Sequence, residues 1–109
     1  MQTLVPIGTF ETKARRLLGN NGFENLLEFL AKRPKSGRII SGTGGLRKVR
    51  MARPGRGKRG GVRVIYYYHD ESKPILLLLI YAKAYQENMS AAQKAKLKKY
   101  TDELVHEFD

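Results

Sequence analysis

The sequence predicts a small α+β domain: two N-terminal helices and one C-terminal helix on a mainly antiparallel sheet of about four strands, with a hairpin at its centre. Three observations lead there. Apolar residues recur at helical spacing over residues 10–31 and again over 90–108. Between them lie three stretches with strand chemistry, the last two separated only by Asp70-Glu71-Ser72-Lys73-Pro74. The chain has 109 residues, enough for one modest core, so residues 1–109 are expected to form a single domain.

Taken in order, Gln2 to Ile7 reads as a short first strand, which Pro6 restricts to an edge or a strand end. Thr9 is placed as an N-cap ahead of Phe10, Ala14, Leu17 and Leu18, and Gly19 as the stop of that helix. A second helix is expected from Asn21, with Glu24 completing a capping box. Phe23, Leu26, Leu27, Leu30 and Ala31 form its apolar stripe, and Arg33-Pro34 ends it. After a Gly-rich turn, Leu46 to Met51 alternates as a strand. Val49 and Met51 share one face with Arg47, while Lys48 and Arg50 share the other with Leu46. Ala52 to Gly61 is expected to be a loop, because Pro54, Gly55, Gly57, Gly60 and Gly61 disfavour regular structure. Val62 to His69, rich in β-branched and aromatic residues, is the next strand. Ile75 to Lys83 follows; being apolar on both faces, it is expected at the sheet centre. The last helix starts at Ser90, with Gln93 three residues on and Leu97, Tyr100, Leu104 and Phe108 as its apolar stripe.

Charge is unevenly placed. The formal net charge is +11, and the sequence pI is about 10.1. From Phe29 to His69 there is no Asp or Glu, yet this window holds 12 of the 21 Lys and Arg residues and 8 of the 11 glycines. A Gly-loosened cationic segment of this kind suits a polyanion, nucleic acid first. The longest apolar run, Ile75 to Ala82, is too short to span a bilayer, and no signal-peptide pattern opens the chain. A cytoplasmic protein without a membrane partner is the expectation.

Metal chemistry is poorly supplied. There is no cysteine, and the histidines are His69 and His106. Gly-Thr-Gly-Gly lacks the Lys-Ser/Thr ending of a P-loop. No metal site and no cofactor are therefore expected, which leaves a site of arginine and lysine. Such a site suffices to cleave RNA, because RNA carries its own nucleophile, the 2′-hydroxyl. The reaction then needs a base, stabilisation of the charged phosphorane and an acid for the 5′ oxygen. Lys48, flanked by Arg47 and Arg50, is the candidate base, since crowding by cations favours the neutral amine. A solvated strand face is the plainer reading of the Lys48/Arg50 pair. Tyr66, Tyr67, Tyr68, Tyr81 and Tyr85 lie near the basic segment in sequence. Tyr67 shares a strand face with Arg63 and is the better base-stacking candidate.

Three stretches carry a resemblance: Gly-Thr-Gly-Gly-Leu-Arg-Lys-Val-Arg, then Gly-Arg-Gly-Lys-Arg-Gly-Gly-Val-Arg-Val-Ile-Tyr-Tyr, then Leu-Leu-Ile-Tyr-Ala-Lys. They strongly resemble the RelE/HigB family of toxins of type II toxin–antitoxin systems, within the RelE/ParE superfamily and closest in pattern to its HigB-like branch. The resemblance implies a twisted sheet carrying two N-terminal helices and a C-terminal one. It implies a ribosome-dependent, metal-independent endoribonuclease that cuts mRNA in the A site. It also implies a cognate helix-turn-helix (HigA-like) antitoxin, through which alone operator DNA would be met. Carried over residue by residue, Lys48, Arg50, Arg63 and Lys83 match the family's catalytic positions, and Lys58 and Arg59 match its basic loop. Arg47, Arg53, Arg56, Tyr67 and Tyr85 join those two as expected contacts to RNA or ribosome. Ala84 stands where the family often has Arg or Asn, so the proton for the leaving oxygen falls to Lys83 or another cation. Two other readings use the same basic surface: a ParE-like gyrase poison that cuts nothing, and a non-catalytic basic RNA-binding protein.

Overall fold

The computed structural model describes residues 2–53, 57–82 and 89–107, the side chains of 57–60 excepted. Strand β1 (Leu4–Pro6) precedes helix α1 (Phe10–Lys32). Strands β2 (Arg38–Ile39), β3 (Leu46–Arg53), β4 (Gly57–Tyr67) and β5 (Ile75–Ala82) follow, and helix α2 (Ala91–Glu107) comes last. The sheet has five strands in the order β1-β5-β4-β3-β2. About four were expected, mainly antiparallel. The difference is the two-residue β2 and a parallel pairing of β1 with β5, which makes the sheet mixed. Pro6 does lie on an edge strand, where its missing N–H leaves no gap in a ladder. The middle strand is β4, with β5 beside it, so the β4–β5 hairpin is central as expected while β5 itself is not.

The two expected N-terminal helical segments follow one another directly within α1, divided by a kink at Gly19. Gly19 breaks the helical path at φ 75° and ψ 171°, and the helix resumes at once without a connecting loop. Only glycine accepts that φ without strain. Arg15 braces the break. It pairs with Glu11 at 3.0 Å, donates to Asn20 Oδ1 at 3.0 Å and lies over the Phe23 ring at 4.7 Å. Thr9 makes no side-chain cap bond, contrary to its expected role. The Ser90–Gln93 box of α2 is formed: Ser90 N–H donates to Gln93 Oε1 at 2.9 Å and Gln93 N–H donates to Ser90 Oγ at 3.1 Å. Phe108 lies outside the described residues. The expected loop over 52–61 is largely strand, with β3 running to Arg53 and β4 starting at Gly57. Ladder hydrogen bonds are made by backbone groups whatever the side chain, so glycine-rich ends still extend the ribbon.

Each face of the sheet has its own core. On one, Phe10, Ala14, Leu18, Phe23, Leu26 and Leu30 of α1 meet Val62, Val64 and Tyr66 of β4 and Ile75, Leu77 and Ile80 of β5. On the other, Leu46, Ile65, Leu76 and Leu78 are covered by Leu97, Leu104 and Val105 of α2. Each buried aliphatic or aromatic side chain contributes about 1.5–3 kcal/mol, so α1, with six buried residues, is held far more firmly than α2, whose one buried residue is Thr101.

The strands are locked at two places. Ile65 pairs with Leu79 and Tyr66 with Leu77, which leaves Leu78 as an extra residue in a β-bulge. At the β2–β3 turn, Thr43 Oγ1 donates to Ile40 O and accepts from Leu46 N–H at 3.2 Å, with the flanking Gly42, Gly44 and Gly45 at positive φ.

Candidate functional site

Alternation along β3 and β4 sorts the basic residues by face. Val49 and Met51 pack on the α1 side with Val62 and Val64. Leu46 and Ile65 pack on the α2 side. Lys48, Arg50 and Arg63 therefore project from the α2 side of the sheet. The ladder aligns them in rows: Arg50 lies directly opposite Arg63, which lies opposite Tyr81. One step along, Lys48 is opposite Ile65, which is opposite Leu79. Residues directly opposite across a ladder have their Cβ atoms about 5 Å apart, and like charges placed there are destabilising. An anion seated between them reverses the sign.

Arg63 carries the sharpest signal in this row. Its Nη1 is buried, and among the described residues no acceptor meets it. A buried N–H of a charged group left without a partner is costly. Lys48 is half-buried and Arg50 exposed, so the row grades from covered to open.

Arg47 does not join them. It turns to the α1 side and donates from Nη1 to the carbonyls of Gly37, at 2.8 Å, and Lys35, at 3.3 Å. Those two bonds fix the segment between α1 and β2. Its removal from the α2 face also leaves Arg50, not Arg47, as the neighbouring cation of Lys48 on that face. Arg53 lies elsewhere again, in a cavity of about 450 Å³ with Lys13, Arg16, Leu17 and Tyr81 among its lining residues. Lys13 and Arg16, on α1, were not expected near the basic segment. They lie far from it in sequence, and only the packing of α1 on the sheet brings them to Arg53.

Tyr67 shares the α2 face with Arg63, as expected, yet its ring packs in the core beneath α2 and its hydroxyl meets His69 Nδ1 at 3.1 Å. It stands about 13 Å from Arg63 along the strand. Burial, and then Asp102 and Asp70, push its hydroxyl pKa up. His69 in turn sits 3.5 Å from Asp70, at an exposed strand end. The tyrosine beside Arg63 is Tyr81. Burial raises its pKa, with the Arg63 charge acting in the opposite direction, so it is a neutral phenol at pH 7. Lys83, Ala84, Tyr85 and Arg56 lie outside the described residues, as do the side chains of Lys58 and Arg59. Among the described residues no three His, Asp or Glu side chains converge as metal ligands, and no helix is long and apolar enough to cross a membrane.

Over residues 24–108 the chain matches the family model described as the RelE toxin of the RelE/RelB toxin–antitoxin system. The matched span includes β2 to β5, and with them Lys48, Arg50, Arg63 and Tyr81.

Proposed function

The chain belongs to the RelE family of toxins of toxin–antitoxin systems, and from that premise we propose that it is a ribosome-dependent endoribonuclease which cuts mRNA in the A site and so stops translation. As a toxin of such a system it has a cognate antitoxin for its partner. We place it in the HigB-like branch, with a helix-turn-helix antitoxin, on the Gly-Lys-Arg-Gly-Gly-x-Arg-x-Ile-Tyr-Tyr stretch at residues 57–67.

The reaction follows from the residues. The scissile phosphate sits between Arg50 and Arg63, held by their guanidinium charges. Lys48, one residue pair along the same face, takes the proton of the 2′-hydroxyl. The 2′ oxygen attacks phosphorus, and the bond from phosphorus to the 5′ oxygen breaks. Lys83 delivers a proton to the departing oxygen. The products are a 2′,3′-cyclic phosphate and a 5′-hydroxyl, so atoms and charge balance without a co-reactant. Arginine suits the phosphorane because its planar fork of donors matches two equatorial oxygens at once. Lys58, Arg59 and Arg56 hold the RNA backbone, where each phosphate contact adds affinity without sequence choice.

The observation that carries this reading is the pairing of Arg50 with Arg63 directly across the β3–β4 ladder, on the sheet face that also carries Lys48. The test is Arg63→Ala, induced in cells, with the fold checked by circular dichroism and the 5′ ends of translated mRNAs mapped. Loss of one such charge stabiliser lowers cleavage by about 100- to 1,000-fold. Wild-type cleavage by a folded Arg63→Ala protein refutes the assignment, and gyrase-linked DNA breaks with intact mRNA replace it with the gyrase-poison reading.

A further inference from the structure

Beside the cationic row lies a groove that the phosphate chemistry does not use. It runs between β5 and α2, has a volume of about 410 Å³, and is lined by Leu79, Tyr81, Met89, Leu97 and Tyr100, with Lys96 also at its wall. Two of these residues are large and unusually open for apolar side chains: Leu79 is 39% exposed and Tyr100 is 44% exposed. A groove with aromatic and aliphatic walls, one amide (Gln93) and one cation suits a flat, partly polar ring system.

Its position narrows the occupant. Tyr81 belongs to both features, being the ladder partner of Arg63 and a wall of the groove. Leu79, the next wall, is the ladder partner of Ile65, which is itself opposite Lys48. Neighbouring strands are about 4.8 Å apart, so a phosphate held over β4 by Arg63 has its own nucleoside within reach of β5. We propose that this groove takes the nucleobase of the nucleotide whose phosphate rests on Arg63, with Tyr81 as the stacking platform and Leu79 and Leu97 closing the edges. The inference rests on the reading of the Lys48–Arg50–Arg63 row as an RNA site. It adds that the site reads one nucleotide as a whole, phosphate on β4 and base on β5. Tyr81 is a neutral phenol at pH 7, as tyrosines ordinarily are, so the ring presents an uncharged face to the base and no anion to the neighbouring phosphate.

Stacking on one aromatic side chain changes binding by about five- to a hundred-fold per base. The probe is a 2′-O-methyl RNA trinucleotide, which lacks the nucleophile and is not cut, compared with the same trinucleotide made abasic at its central position. Binding to the full chain is followed through the methyl resonances of Leu79, Met89 and Leu97. The intact probe is expected to shift these methyls and to bind at least about five-fold tighter than the abasic one. Tyr81→Phe keeps that difference and Tyr81→Ala abolishes it. Leu79→Gln, on the more exposed wall, narrows it and serves if Tyr81→Ala fails to fold. Equal affinity for the two probes in the wild-type protein, or unmoved methyls at saturation, overturns the groove assignment. Arg63→Ala separates the two levels. If it weakens both probes alike while base removal changes nothing, the groove alone falls; if it weakens neither, the RNA reading of the cationic row falls with it.

Discussion

Removing one hydroxyl, in Tyr66→Phe, should destabilise this protein far beyond the size of the change. Tyr66 is 0% exposed in the α1-side core. Its hydroxyl donates to Pro34 O at 2.8 Å and accepts from Gly37 N–H at 2.8 Å. Phenylalanine fills the same volume, so no cavity forms and only the polar accounting changes. Two hydrogen bonds are lost, and the buried Gly37 N–H is left without an acceptor. Together these are worth about 2–4 kcal/mol. For a domain of this size that lowers the melting temperature by roughly 10–25 °C. The effect has a local component as well. Arg47 grips the carbonyl of the same Gly37, and the β2 strand that follows pairs Arg38 with Lys48. The segment next to the proposed base is therefore anchored by Tyr66 from below and Arg47 from the side. Urea unfolding of Tyr66→Phe gives the global loss, and amide exchange of Gly37 gives the local one. Gly37→Ala approaches the same contact from the other side, since a Cβ there meets Tyr66 Oη at 2.8 Å and Lys48 O at 3.0 Å. A Tyr66→Phe protein within about 0.5 kcal/mol of wild type, with unchanged Gly37 exchange, would refute the reasoning, because that is below the net worth of a single buried hydrogen bond.

Three further outcomes are expected. Ser90→Ala opens the capping box of α2 and lowers stability by about 0.5–2 kcal/mol, with amide protection lost first in residues 91–95 and unchanged in α1. Tyr67 and Tyr81 both have raised folded-state pKa values. Above the ordinary tyrosine value near pH 10 the unfolded chain releases its protons first, so their contribution is complete below that pH and is lost as pH rises through the folded values. Absorbance titration should show these two phenols ionising late, and Tyr81→Phe should flatten the alkaline fall of the unfolding midpoint. Binding of the cognate antitoxin should weaken as salt rises, since the toxin surface is so strongly cationic; a salt-independent titration would count against an electrostatic grip.

What was legible in the chain was local. The alternation of Leu46 to Met51 puts Lys48 and Arg50 on one face and Val49 and Met51 on the other, and the structure does the same. Ser90 and Gln93 announce their own capping box. What was not legible depends on partners distant in sequence. Arg47 reads as one more cation until the carbonyls of Lys35 and Gly37 are brought to it. The parallel pairing of β1 rests on three residues, Leu4 to Pro6, meeting Ile75 to Leu77, and nothing in so short a run specifies its neighbour. Gly19 marks a break between two helical segments, as its position predicts; that the second follows at once, with no connecting loop, was not written in it. Tyr81 was hidden by the bulge. Counting alternate residues onward from Leu76 and Leu78 puts Ile80, and not Tyr81, on the α2 face. In the folded sheet Ile80 packs under α1 and Tyr81 takes the α2 face in its place.

That bulge also sets how β5 tolerates a change in length. In an ordinary strand, one residue gained or lost reverses every side chain beyond it. Here Leu78 and Leu79 both face α2, one filling the core and the other walling the groove. Losing Leu78 would restore plain alternation and leave Ile80 and Tyr81 on the faces they already occupy. The bulge is thus an expansion joint between the half of the sheet that carries the core and the half that carries Arg63 and its neighbours. Drift in the length of β5 can be absorbed at this one point while the row across Arg50, Arg63 and Tyr81 stays in line.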